Sequence, residues 1–387
     1  MLRELRRLRP TLLCVVAVMA GCSTLFEDGW QKYDHGDYPG ALQCWTPAAE
    51  QGDTRAQYLV GLLYDEGQGV ASDPACAARW YERAASQGHL AAQNNLGLLY
   101  LSGRGVARSP ERAMEWFRRA SEQGYAMAYT NLAVLYALGI GTERDLDRGR
   151  TLLRAAAERG DAKAQRLLGV VYRGGIGVDA DPQEAARWYQ LAAEQGLVSA
   201  QTQLGLMLLR GEGVARDGAR AFRWLTAAAQ QGSVDAQVAL GYQLSRGDGV
   251  EADPAAAAGW YRRAAEQGQP GAQLCLGLMK LSGRGVARDA KDAARWIGLA
   301  ADRGLAPAQH KLAQLLEHGT GVTADPGLAY TWYCLASTGG DASAAGAMMR
   351  LRGTLSPAQL AAATARVDAW QSARAAAAPG IPAAPGH

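Results

Sequence analysis

A period of 36 residues runs without a gap from residue 53 to residue 340 and leaves few folds open to this chain. Ala56, Ala92, Ala128, Ala164, Ala200, Ala236, Ala272 and Ala308 share one phase. Gly69, Gly105, Gly141, Gly177, Gly213, Gly249, Gly285 and Gly321 share another. A third holds Trp80, Trp116, Trp188, Trp224, Trp260, Trp296 and Trp332, with Leu152 in the gap. The segment LSGRGVAR occurs at 101–108 and again at 281–288. A chain of 387 residues would otherwise suggest two or three globular domains. A stacked array overrides that expectation, because it grows by adding copies rather than by enlarging one core.

The second copy shows what each phase does. Ala92, Leu96 and Leu99 are spaced i, i+4, i+7 and share one helical face. Ala92 and Gly97 are small where a neighbouring helix must come close, and Tyr100 adds a ring with a polar tip. Gly103 ends this first helix. Gly103-Arg104-Gly105-Val106 turns the chain, and Ser109-Pro110 opens a second helix as cap and first residue. Asp73-Pro74, Asp181-Pro182, Asp253-Pro254 and Asp325-Pro326 repeat that signal. In the second helix Ala113, Trp116, Phe117 and Ala120 recur at i, i+3, i+4, i+7, and Gly124 closes it. One such pair cannot bury its own apolar face, so neighbours must do so jointly. The expected fold is all-α, a solenoid of two-helix repeats.

The tryptophan phase reads as core rather than as a cofactor box. A buried indole removes roughly 150–250 Å² from water, or about 4–6 kcal/mol. The ladder is therefore expected to be a main source of stability. The third copy departs most, with Tyr129, Ala133, Thr142, Leu146, Gly149 and Leu152 where the others have Gln, Gly, Val, Pro, Ala and Trp. It reads as the weakest link. The expected layout is a signal segment at 1–21, an anchor and capping unit at 22–52, eight repeats at 53–340, capping helices at 341–375 and a disordered Pro/Ala/Gly-rich tail at 376–387.

The unit A-Q-x-x-L-G-x-x-Y-x-x-G-x-G-V-x-x-D-x-x-x-A-x-x-W-Y-x-x-A-A-x-x-G resembles the Sel-one-like repeat, a relative of the tetratricopeptide repeat. Ala92, Gln93, Leu96, Gly97, Tyr100, Gly103, Gly105, Val106, Ala113, Trp116, Phe117, Ala120 and Gly124 carry the likeness. It spans about residues 26–375. It implies a right-handed superhelix that scaffolds protein complexes, often in bacterial envelopes, with no shared catalytic residue. Some family members carry a disulfide in each repeat, and this chain lacks those cysteines.

The N-terminus has a basic stretch, MLRELRRLRP, then an apolar run from Thr11 to Ala20 too short to span about 30 Å of hydrocarbon. Met19-Ala20-Gly21-Cys22 resembles the lipobox of bacterial lipoproteins, which implies cleavage and lipidation at Cys22. Ser23, which is not Asp, favours the outer membrane by analogy with lipoprotein sorting, facing the periplasm. An ordinary secretory signal, giving a secreted or periplasmic chain, and an uncleaved anchor are the alternatives. The formal charge of +3 resides in this segment, where Arg3, Arg6, Arg7 and Arg9 stand against Glu4. A nucleic-acid binder needs a basic face, and no such face is evident. Cys44, Cys76, Cys275 and Cys334 fall at four different phases, without a CxxC, and read as free thiols rather than metal ligands.

Chemistry is sparse. The histidines, His35, His89, His310, His318 and His387, show no metal-ligand spacing on one helix face. There is no GxSxG and no HExxH, and the Gly-x-Gly pairs join helix to helix rather than strand to helix. No cofactor and no metal are expected. The first-helix face lines the concave surface in related solenoids, and its variable phases are the expected recognition surface. Candidates there are Asn94, Leu98, Leu101, Arg166, Arg173, Leu206, Leu209, Tyr242, Leu278 and Leu281. They suit an extended or helical peptide, the alternative being contact within the stack. The expected function is a lipid-anchored envelope scaffold that binds proteins, one variant being a component of an exopolysaccharide or cell-wall machine. An enzyme acting on cell-wall material or β-lactams, and glycan binding by exposed indoles, are the competing classes.

Overall fold

The computed structural model describes residues 26–377, and every regular element among them is helical. The expected all-α solenoid is the observed fold. The signal segment, Cys22 and the tail beyond Ala377 lie outside the described residues. The chain clusters into two compact halves, one up to Gln195 and one from Gly196. The first holds α1 (26–34), α2 (Tyr38–Glu50), α3 (Thr54–Glu66), α4 (Pro74–Ser86), α5 (Leu90–Ser102), α6 (Pro110–Glu122), α7 (Ala126–Leu138), α8 (Leu146–Glu158), α9 (Ala162–Gly174) and α10 (Pro182–Glu194). The second holds α11 (Val198–Arg210), α12 (Gly218–Gln230), α13 (Val234–Arg246), α14 (Pro254–Glu266), α15 (Pro270–Ser282), α16 (Ala290–Asp302), α17 (Ala306–His318), α18 (Pro326–Thr338), α19 (Ala342–Arg352) and α20 (Pro357–Ala377). Within each half every helix from α3 to α19 packs on the one before it, and α20 packs back on α18.

The caps explain the period. Asp73 accepts bonds from the amides of Ala75 and Cys76 at the start of α4, and Asp181 does the same for Gln183 and Glu184 in α10. Each first helix ends on a left-handed glycine such as Gly103. The residue capping the second helix then donates back to a carbonyl in the last turn of the first, that of a tyrosine in the first half and of Leu208, Leu244, Lys280 or Leu316 in the second. Ser109 to Tyr100 spans 2.9 Å and Asp181 to Tyr172 spans 2.7 Å. That bond ties the turn to a fixed length, so the spacing cannot drift from copy to copy.

The core corrects one expectation. Trp116 and Trp296 are buried, but Trp80, Trp188, Trp224, Trp260 and Trp332 are only half-buried. Arginines lie over the rings of Trp80, Trp116, Trp260 and Trp296, so the indoles form the shoulder of the core. The buried ladder is the next residue along: Tyr81, Phe117, Leu153 and Tyr189 in the first half, Leu225, Tyr261, Ile297 and Tyr333 in the second. The repeat's helical glycine makes room for it. A Cβ on Gly97 would lie 2.6 Å from Phe117 Cε1, and one on Gly241 2.7 Å from Tyr261 Cε1.

A second device was not foreseen. The recurring glutamine after the repeat's first alanine is buried and reaches back to the preceding second helix. Gln57, Gln93 and Gln165 donate to the carbonyls of Ala49, Ala85 and Ala157 at 3.0–3.1 Å. Gln237, Gln273 and Gln309 do the same for Ala229, Ala265 and Ala301. Each of these helix-end carbonyls also accepts from the glycine amide three residues on, as Ala85 does from Gly88 at 3.0 Å, so the glutamine supplies a second donor and ties its own helix to the one before.

In the third copy the small residues have changed sides. Ala133 replaces the usual glycine on α7, and Gly149 replaces the usual alanine on α8. A Cβ at 149 would lie 2.9 Å from the Ala133 carbonyl, so the exchange keeps the helices in close approach.

Candidate protein-binding face

Each first helix turns one stripe away from the stack, at phases i, i+4, i+7 and i+11. In the first half the stripe reads Ala91, Asn95, Leu98 and Ser102 on α5, then Met127, Asn131, Val134 and Leu138 on α7, then Lys163, Leu167, Val170 and Gly174 on α9. Leu98 is 41 % exposed and Val170 37 %. In the second half the same phase exposes Tyr242 by 47 % and Leu278 by 41 %. Four large apolar side chains at one phase, two in each half, therefore stay in water.

The other candidates divide. Arg166, Arg173, Leu206 and Leu209 are half-buried on this face. Leu101 and Leu281 are half-buried and pack against the core, so they belong partly to the stack. Asn94 departs from the expectation of a surface amide. It is buried, its Oδ1 accepts from Asn131 Nδ2 at 2.8 Å, and its Nδ2 donates to Asn95 Oδ1 at 3.4 Å. A polar group with no water to bond must find partners inside, and the adjacent helix supplies them. The outward amide is Asn95, which donates to Tyr81 Oη at 3.3 Å.

Met127 and Leu138 escaped the sequence reading yet are exposed by 47 % and 62 %. Both lie at the ends of α7, outside the phases of Asn94, Leu98 and Leu101. The i, i+7, i+11 spacing from Met127 through Val134 to Leu138 was the available signal.

The cluster nearest to catalytic chemistry lies in the second half. His310 Nδ1 is 2.8 Å from Asp341 Oδ2 and 2.9 Å from Ser343 Oγ. A serine relay needs the hydroxyl on one ring nitrogen and the carboxylate on the other. Here both crowd Nδ1, while Nε2 faces the Gln314 amide at 3.2 Å. Lys311 donates to Gln314 Oε1 at 3.1 Å, which turns the amide NH₂ toward the imidazole. The arrangement ties α17 to α19 and activates no nucleophile. Cys44, Cys76, Cys275 and Cys334 are free and half-buried, and burial pushes the thiols of Cys275 and Cys334 up, away from the reactive thiolate. Among the described residues no group of His, Cys, Asp and Glu is placed to hold a metal ion.

The Sel1 repeat profile matches the chain in nine consecutive segments, 19–53, 54–89, 90–125, 126–161, 162–197, 198–233, 234–269, 270–305 and 306–341. The chain belongs to the Sel1 repeat family. The first matched segment covers the short opening unit ahead of the eight-fold alignment. A crystal structure of a protective antigen present in uropathogenic Escherichia coli, displaying an SLR fold, is 27 % identical with a TM-score of 0.59, over 97 % of this chain and 99 % of that one. A Sel1 repeat protein from Oxalobacter formigenes is 34 % identical with a TM-score of 0.58, over 80 % of this chain and 90 % of that one. Among curated proteins none matches the chain. Sel1 repeat proteins typically mediate protein–protein interaction, and the family is generally non-catalytic.

Proposed function

We propose that this chain is a lipid-anchored scaffold of the bacterial envelope that binds partner proteins along the outward stripe of its first helices. The observation that carries the reading is the exposure of Leu98, Val170, Tyr242 and Leu278 at one repeat phase. Singly exposed apolar residues are ordinary, but within each half the same phase recurs and exposes two of them. The sequence around Cys22 supports the anchor. Two or more acyl chains at Cys22 would hold the protein stably, and one only marginally. The outer membrane, with the solenoid facing the periplasm, is the proposed location.

Crosslinking and affinity purification from envelopes of the native host test the binding arm. A partner recovered with the wild-type chain and lost with Leu98→Asp/Val170→Asp supports it, and recovery of no partner at native expression removes it. Metabolic labelling tests the anchor: incorporation of labelled palmitate is expected for the wild type and not for Cys22→Ala. Equal labelling of both sinks the anchor and leaves the binding arm standing.

A further inference from the structure

The two helices α5 and α7, each of 13 residues, contain no Asp, Glu, Lys, Arg or His. The other 13-residue first helices all carry charge: Arg55, Asp65 and Glu66 on α3, Lys163, Arg166 and Arg173 on α9, Arg210 on α11, Asp235 and Arg246 on α13, Lys280 on α15, Lys311 and Glu317 on α17. A helix that is apolar all round is normally covered all round. On α5 and α7 one side is open, and it exposes Leu98, Met127 and Leu138. The two helices lie side by side, joined by the bond from Asn131 to Asn94. We propose that this charge-free face seats an amphipathic helix of a partner protein, with an acidic flank of that helix turned toward α9. The proposal deepens the protein-binding reading and rests on it.

The form of the occupant follows from the amides. An extended peptide must bond its backbone to the surface that holds it, whereas a helix brings its backbone bonds with it. The outward asparagines, Asn95 and Asn131, each direct a donor into the stack rather than toward solvent. Asn94 bonds Asn131 and Asn95, and Asn95 bonds Tyr81. Apart from exposed Ser102, whose hydroxyl donates to the Leu98 carbonyl at 2.8 Å, what remains open is apolar: Leu98 and Leu138 toward one end, Met127 toward the other, and half-buried Val134 between. The stripe from i to i+11 is about 16 Å long, which matches three turns of a partner helix laid between two ridges.

The polarity follows from the borders. On the α9 side, exposed Lys163 and half-buried Arg166 make no ion pair among the described residues. On the α3 side, Asp65 is already paired with Arg104 at 2.9 Å and exposed Arg55 with Asp53 at 3.7 Å, leaving exposed Glu66. Unpaired cations stand along one border and an unpaired carboxylate at the other. A helix with acidic residues beside its apolar stripe meets the cations when that flank faces α9. Steering by such rim charges sets orientation and selectivity.

The test uses the full chain and two synthetic helices of about 16 residues with one leucine stripe, flanked by Glu in one and by Lys in the other, followed by fluorescence anisotropy. The Glu-flanked helix is expected to bind at least about tenfold more tightly. Lys163→Glu/Arg166→Glu should reverse that preference, and Met127→Glu/Leu138→Glu should abolish binding of both without changing thermal unfolding. Equal binding of the two helices, or binding that survives Met127→Glu/Leu138→Glu, overturns the proposal. So does a wild-type dimer in sedimentation that Met127→Glu/Leu138→Glu makes monomeric, because the face would then belong to a second copy. An envelope partner that still binds Met127→Glu/Leu138→Glu overturns this assignment but not the scaffold reading, whereas recovery of no partner at all removes the reading itself.

Discussion

Gly105→Ala and Gly124→Ala form a matched pair that separates backbone strain from contact between repeats. Both glycines have positive φ, 69° and 87° respectively, where an L-residue is disfavoured by about 1–2 kcal/mol. A Cβ on Gly124 meets nothing within 4 Å, so its replacement should cost about that strain alone. A Cβ on Gly105 would lie 2.2 Å from the Pro74 carbonyl carbon and 2.4 Å from the Ala75 nitrogen, the first turn of the preceding repeat's second helix. Those atoms are backbone and cannot rotate aside, so the joint between repeats must open. Overpacking of this kind adds about 1–3 kcal/mol. Gly105→Ala should therefore cost about 2–5 kcal/mol, exceeding its control by about 1–3 kcal/mol. Urea unfolding followed by far-ultraviolet circular dichroism reads the difference. Because stability in a stacked array is a sum over repeats and their joints, the Gly105 variant should also unfold with a shallower transition. Amide exchange should quicken at the start of α4 in that variant and not in the control. If Gly105→Ala is no more destabilising than Gly124→Ala, the loop glycine serves only the turn, and the argument for a backbone joint is wrong.

Three further outcomes follow from the core and its borders. Tyr189→Ala should cost about 3–5 kcal/mol in urea unfolding and Trp188→Ala clearly less; the reverse order would restore the tryptophan as the principal core residue. Gln165→Ala removes the donor to Ala157 and the acceptor for Gln195, and should cost about 1–3 kcal/mol, against less than about 1 for the exposed Gln195→Ala; equal thermal shifts would refute a role for the ladder. The Lys280 ammonium, 2.8 Å from Asp292, holds that carboxyl below the usual carboxylate range, with Arg295 assisting against partial burial. A depressed carboxyl contributes stability at neutral pH that is lost as pH falls through its folded value, so the urea midpoint should drop more steeply in acid for the wild type than for Lys280→Met. Parallel acid profiles would dismiss that pair.

The fold was legible because periodicity is a statement about neighbours. Asp73, Gly103 and Ser109-Pro110 announce helix ends locally, and their recurrence every 36 residues implies the stack. The core was legible only in outline. Trp116 and Phe117 are adjacent, both apolar and both periodic, and residue size favours the tryptophan. Which one faces inward depends on a turn of about 100° about the helix axis and on the opposing glycine at 97, which the pattern does not order. The glutamine phase was visible, but its target is a backbone carbonyl, and backbone leaves no residue signature. Asn94 was misplaced for a related reason: its bonding partner, Asn131, is specific to this pair of repeats and breaks the period.

The third repeat shows how packing and recognition vary by different rules. Facing inward, Ala133 and Gly149 changed together and keep α7 and α8 in close approach, whereas the eighth repeat carries Ala313 opposite Ala329 without such an exchange. Facing outward, Met127 and Leu138 are exposed, and Met127 meets the Tyr125 hydroxyl at 3.9 Å through its sulfur, a contact that fixes no gap between helices. Buried positions are held by neighbours on every side, whereas outward ones answer only to solvent or to a bound molecule. A Sel1 repeat can therefore depart from its pattern in two ways, and only unpaired departures toward solvent report on a partner. By that criterion the irregularity that made the third repeat look weak lies partly in compensated packing. The remainder, on the open side of α7, is the portion that bears on binding.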